Sequence, residues 1–173
     1  TSIIIAVAER FGVWLAPMAV SVLVLNGPAR KFFQKHSRPP DTDEQKRIGG
    51  YVLGIGNALG DYRDSPGMWS GHLVACGAGH IFDPTLGQAA RPEQGIIAEP
   101  IMLDMPSDFG DWPRGMFIAA KMHEGLVMYS PDVANHTWCD SPDWTRKRCQ
   151  KPYVDAVVYD VMRAMERYTK GEK

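Results

Sequence analysis

His72 and Asp83 are the residues of this chain whose types and spacing could do acid–base chemistry together. His72 falls in Trp69-Ser70-Gly71-His72-Leu73-Val74-Ala75-Cys76. After Gly77-Ala78-Gly79 comes His80-Ile81-Phe82-Asp83-Pro84-Thr85-Leu86-Gly87-Gln88. Two short apolar runs around a Gly-rich turn predict a β-hairpin. Folded so, the imidazole of one strand and the carboxylate of the next meet at the same end of the sheet. A carboxylate there accepts from one ring nitrogen, fixes the tautomer, and leaves the other nitrogen to activate a nucleophile. On spacing alone a second reading stays open, in which His72 is a satisfied core residue and Asp83-Pro84 only begins a turn.

A nucleophile is harder to find. The cysteines Cys76, Cys139 and Cys149 are odd in number and form no Cys-x-x-Cys pair, so neither a disulfide framework nor a zinc ribbon is expected. Reduced thiols in a cytoplasmic protein are the simplest account. In an oxidising compartment Cys139 and Cys149 could pair, provided their α-carbons come close enough. Cys76 follows His72 by four residues on one strand, which sets the two roughly 13 Å apart and makes Cys76 a small core residue. Cys139 lies in Trp138-Cys139-Asp140 after His136 and reaches His72 only if a long loop folds back, while Cys149 faces a basic helix.

Around the pair, Trp69 either walls the site or fills core, and Gln88 follows the Asp-Pro-Thr turn closely enough to reach a substrate amide. His36, His80, His123 and His136 have no paired spacing, so no metal site is expected. Gly54-Ile55-Gly56-Asn57-Ala58-Leu59-Gly60 is one residue too long for a dinucleotide fingerprint and reads as a loop. No Gly-Lys-Ser/Thr triplet is present.

The elements that must hold the pair follow from periodicity. Thr1 or Ser2 caps a helix with apolar residues Ile3, Ile4, Val7, Ala8 and Phe11, stopped by Gly12. Residues 19–25 (AVSVLVL) are a strand buried on both faces and closed by Asn26, Gly27 and Pro28. Residues 51–55, 100–103, 116–121 and 126–129 predict further strands of a mostly antiparallel sheet. Residues 35–46 and 56–67 read as exposed loops. Ser141-Pro142 starts a helix, and residues 153–168 form a long amphipathic closing helix with Val154, Val157, Val158, Val161, Met165 and Tyr168 on one side. Helices at both ends of a block of strands predict an α+β domain.

With 173 residues, 45% hydrophobic and 23% charged, the chain suffices for one sizeable core. A net charge of -1 leaves no global footprint for nucleic acid or an anionic membrane, and Arg146, Lys147 and Arg148 read as a solvated helix face. Residues 3–25 are apolar enough to suggest a membrane or signal segment. Glu9 and Arg10 argue against it at ~2.5–3.5 kcal/mol each, as do Gly12 and Pro17.

A helix ended by Gly12-Val13 with Pro17 after it, then a strand, then Gly71-His72 and, on the next strand, Asp83-Pro84-Thr85, resembles transglutaminase-like proteins and, more loosely, arylamine N-acetyltransferases. The likeness covers roughly residues 1–90. It implies a single papain-like (transglutaminase-like) domain over residues 1–173, with the N-terminal helix packed on a mostly antiparallel sheet and a long C-terminal helix. It also implies a thiolate nucleophile, a thioester, and acyl transfer or amide hydrolysis. His72 would be the base and Asp83 the orienting acid; the substrate would be a peptide, protein or small amide or amine, without cofactor, nucleic acid or membrane. In that family the cysteine precedes the helix-ending glycine by about a dozen residues, which here means Thr1 or just upstream of it. No cysteine occurs at Thr1. Three readings follow: a cysteine immediately upstream in a domain truncated at its N-terminus, Ser2 in its place, or a non-catalytic relative that binds peptides or proteins. A helix N-terminus suits a thiolate because its unpaired N–H groups and dipole lower the thiol pKa. A serine gains far less there and needs a base in contact. Substrate identity and oligomeric state are not legible.

Overall fold

Ala16–Leu25 forms the strand on which the rest of the sheet is assembled (β1). A computed structural model of the chain describes residues 1–56, 71–113, 115–132, 135, 138 and 147–171. One edge of β1 is shared. Its residues 16–20 pair with His72–Gly77 (β3) and residues 22–25 with Val52–Ile55 (β2). The other edge, residues 20–25, carries Gly125–Pro131 (β7). With His80–Asp83 (β4), Ile101–Asp104 (β5) and Ile118–Met122 (β6) the strand order is β5-β4-β3-β1-β7-β6, and β2 lies beside β1. Every pairing is antiparallel. The expected strand at 19–25 thus begins three residues earlier, across Pro17. A proline is tolerated there because the described pairing with β7 starts only at Val20, so among the described residues Pro17 has no strand on its second edge.

Strand side chains alternate with period two. Val20, Val22 and Val24 therefore share one face, where they pack with Val74, Ile81, Leu86, Phe109, Val127 and Tyr129 in the main core. On the opposite face Leu25 and Met128 pack against Ala29 and Phe33 of the helix Gly27–His36 (α2). Cover on both sides explains why β1 is apolar almost throughout. The first helix, Ser2–Arg10 (α1), packs on β1 and β3. The closing helix, Lys147–Thr169 (α4), lies against α1 through Gln150 Nε2 donating to Ser2 Oγ at 3.0 Å and Arg10 meeting Asp155 at 3.4 Å.

One expectation needs correction. Residues 35–46 are not simply loop: they hold the end of α2 and the start of a further helix, Thr42–Ile48 (α3). Asn26 caps α2, with Oδ1 accepting from Ala29 N–H, and Asp41 and Glu44 form a capping box at α3. The composition there is polar because α3 has no fully buried residue, so polarity marked exposure rather than absence of helix. The closing helix expected at 153–168 forms as α4, and its apolar stripe is covered only in part. Val154 is buried, whereas Met165 and Tyr168 are 56% and 86% exposed. The helix start at Ser141-Pro142, and Arg146, lie outside the described residues.

The expected hairpin forms between β3 and β4, with Gly77 opposite His80. Its two turn residues, Ala78 and Gly79, have φ of 51° and 78°, as a tight hairpin with right-handed strand twist demands. At Gly77 a Cβ would run into the Trp14 carbonyl oxygen. Among the described residues no helix is long and apolar enough to cross a membrane.

Candidate active site

The hairpin brings His72 and Asp83 together. His72 Nε2 lies 2.7 Å from Asp83 Oδ2; Asp83 is fully buried and His72 is 9% exposed. Asp83 closes β4, and its carboxylate is divided between two sets of donors. Oδ1 accepts from the backbone N–H of Thr85 at 3.1 Å and from its hydroxyl at 3.0 Å. This is local turn chemistry, and it fixes the carboxylate rotamer. Oδ2 accepts from His72 and, at 2.8 Å, from the Tyr129 hydroxyl of β7.

The Tyr129 bond depends on the shape of the sheet. β3 and β1 lie between β4 and β7. In a flat sheet that would be ~14 Å, beyond the combined reach of the two side chains. The sheet therefore curls with its main-core face inward, and β4 and β7 approach over the top of β1. Tyr129 is itself fully buried, so its hydroxyl needs a partner, and Asp83 supplies one.

The electrostatics follow. Burial pushes the Asp83 carboxyl up, but hydrogen bonds from His72, Tyr129 and Thr85 together with the His72 charge more than offset it, leaving it below the usual carboxylate range. Burial, and then the facing Asp83 carboxylate, push the Tyr129 phenol far above its ordinary value, which keeps it a donor at every physiological pH. With Nε2 committed to the carboxylate, Nδ1 is the nitrogen left to act, and no described residue hydrogen-bonds to it.

The N-terminal end of α1 abuts this pair. The Thr1 hydroxyl donates to the backbone carbonyl of Leu73, next to His72. Thr1 thus occupies the N-cap position without capping through its side chain, contrary to the expected cap. Ser2 Oγ accepts from Gln150 in the contact with α4 and makes no hydrogen bond to His72. Cys76 is buried four residues along β3, and burial pushes its thiol up to about 11, the opposite of what a nucleophile requires.

Of the other residues singled out in the sequence, Trp69 and Cys139 lie outside the described residues, as does the side chain of Cys149. Gln88 is exposed on the short turn Leu86–Ala89; its carbonyl accepts from Arg91 Nη1 at 3.0 Å, and no hydrogen bond links it to His72 or Asp83. Gly54 and Ile55 belong to β2, the strand expected at 51–55, and not to the loop read over 54–60. Among the described residues no group of three or more His, Cys, Asp or Glu could hold a metal ion. Sequence reasoning missed Tyr129 and the role of Thr85. For Tyr129 the signal was its period-two spacing from Val127, which puts a polar hydroxyl on the core face. Compared with known proteins, the chain matches no family model, no curated protein and no solved structure.

Proposed function

We propose that His72 and Asp83 are the base and orienting acid of a cysteine-dependent, transglutaminase-like site for acyl transfer or amide hydrolysis, with its thiol presented from the N-terminal end of α1. The observation that carries this reading is the buried hydrogen bond from His72 Nε2 to Asp83 Oδ2 at 2.7 Å, formed where α1 begins beside the same strand. A carboxylate held at one nitrogen orients the ring, and a helix N-terminus favours a thiolate near the other.

In this scheme Nδ1 takes the thiol proton, and the thiolate attacks the carbonyl carbon of a peptide, protein or small amide. The C–N bond breaks, the imidazolium gives its proton to the departing amine, and a thioester remains. Water or a second amine then attacks the thioester. His72 accepts the proton of the attacking group and returns it to the sulfur. Asp83 stays ionised throughout, which is consistent with its lowered pKa.

The test uses the full encoded protein, including whatever residues precede Thr1. Incubation with glutamine-containing peptides and hydroxylamine should yield a hydroxamate from the trapped thioester, and His72→Ala and Asp83→Ala should abolish it. A full reading frame without a cysteine within a turn of Thr1, together with no hydroxamate, would instead favour the other reading, a peptide- or protein-binding module that keeps the fold without the chemistry.

A further inference from the structure

Two basic stretches separated in sequence are folded side by side by the α2–α3 corner. Pro28, Lys31, Phe32, Lys35 and His36 recur every three or four residues and so share one side of α2, and Arg47 and Ile48 face them from the end of α3. Together they line a groove of about 520 Å³. Lys31, Lys35, His36 and Arg47 are exposed along it, and no carboxylate lines it. None of these four forms an ion pair with a described residue. Of the acids on α3, Asp43 pairs with Lys46 at 3.6 Å, and Glu44, which feels Arg47, is held by Arg38 through hydrogen bonds of 2.7 and 2.8 Å. In a chain of net charge -1, this is a local concentration of positive charge.

We propose that the α2–α3 groove binds an acidic polypeptide segment in extended form. Lys31 and Lys35 are one helical turn apart, ~6 Å along the axis. Alternate residues of an extended strand are ~6.6 Å apart. Carboxylates at every second position of a peptide therefore match the two lysines in step, with Arg47 opposite. A single-stranded nucleic acid fits less well, because it relies on free aromatic faces for base stacking. Phe32 is 9% exposed, His36 stacks on it at 4.2 Å, and the Arg38 guanidinium lies 5.1 Å from its centroid. A small anion would be left mostly in water, since the groove is open rather than enclosing. The proposal is independent of the chemistry assigned to His72.

Fluorescence anisotropy with a labelled ten-residue Glu-Val repeat peptide tests it on the whole chain at low salt. Binding should be saturable, weaken as salt rises, and fall at least about tenfold in the Lys31→Glu/Lys35→Glu/Arg47→Glu variant, while a Lys-Val repeat should not bind. Should charge reversal disturb folding, Lys31→Gln/Lys35→Gln must show a weaker loss in the same direction. Absence of saturable binding, affinity unchanged in the folded variants, or tighter binding of a single-stranded RNA oligomer or pyrophosphate through the same residues overturns the proposal.

Discussion

Tyr129→Phe removes one oxygen atom from the centre of the site and leaves the ring in the core. Its consequences can be worked from the geometry. The lost hydroxyl donates to Asp83 Oδ2 at 2.8 Å, the same oxygen that receives His72, and both Tyr129 and Asp83 are fully buried. A hydrogen bond to a charged acceptor is worth about 1.5–3 kcal/mol, against about 0.5–1.5 kcal/mol for one between neutral groups. At neutral pH, where Asp83 is ionised, the variant should therefore lose about 1.5–3 kcal/mol of unfolding free energy. The pH dependence gives the sharper check. The Asp83 carboxyl has a lowered pKa in the folded protein, in part because of Tyr129. The stability it confers is fully present above the unfolded carboxylate pKa and is lost as pH falls through the lowered folded value. Once Asp83 is protonated in both proteins, the phenol loses a charged partner, and the gap between parent and variant should shrink to about 0.5–1.5 kcal/mol. Urea unfolding followed by tryptophan fluorescence, from neutral pH down past the pH at which folded Asp83 takes up its proton, below the usual carboxylate range, measures this gap directly. A gap that stays constant across that range would show that Tyr129 does not stabilise an ionised Asp83.

Three further outcomes are expected. Cys76, with its thiol pushed up to about 11 by burial, should resist iodoacetamide in the native protein at neutral pH and react once the chain is unfolded; equal native and unfolded labelling rates by mass mapping would contradict its placement in the core. Asn26→Asp keeps the acceptor for Ala29 and Tyr51 but removes the donor to the Gly49 and Gln94 carbonyls, so urea unfolding should register a loss of about 1–3 kcal/mol. A variant as stable as the parent would rule out Asn26 as the tie between β1, α2, α3 and the turn Pro92–Gln94. Gly77→Ala places a methyl against the Trp14 carbonyl oxygen, so backbone must shift, and should lower the thermal midpoint by the equivalent of about 1–3 kcal/mol; an unchanged midpoint would mean that the segment entering β1 does not lie as close to β3 as described.

Local signals carried much of the fold. The β-branched run of β1, the Gly-rich turn between β3 and β4 and the helical period of α1 each depend on residues a few positions apart, and each element formed, β1 starting three residues before its apolar run. The misses share a cause. α3 is short and polar, and its helical signal lies in the capping pair Asp41 and Glu44 rather than in a hydrophobic face, while α2 buries Ala29 and Phe32 behind the cap Asn26, which reads in sequence only as the close of β1. Reading polarity as loop overlooked that a capped helix can be solvated on most of its circumference. Periodicity likewise identifies the apolar side of α4 but not what covers it, and Met165 and Tyr168 on that side are exposed.

The carboxylate of Asp83 divides what a sequence can and cannot convey about the site. One oxygen is occupied from within Asp83-Pro84-Thr85, whose turn chemistry spans two residues and is legible in the order of side chains. The other is occupied from His72, eleven residues away across a hairpin, and from Tyr129, 46 residues away across a curled sheet. The hairpin was foreseeable because its turn announces itself. The curl was not, because it emerges from the summed twist of β4, β3, β1 and β7 and from the packing of their inner side chains. The orientation of the His72 ring therefore rests on local sequence, whereas the charge left on the oxygen it faces rests on tertiary shape through Tyr129. A substitution that flattens the sheet far from the site should act on Asp83 as Tyr129→Phe does, without touching any residue of the hairpin.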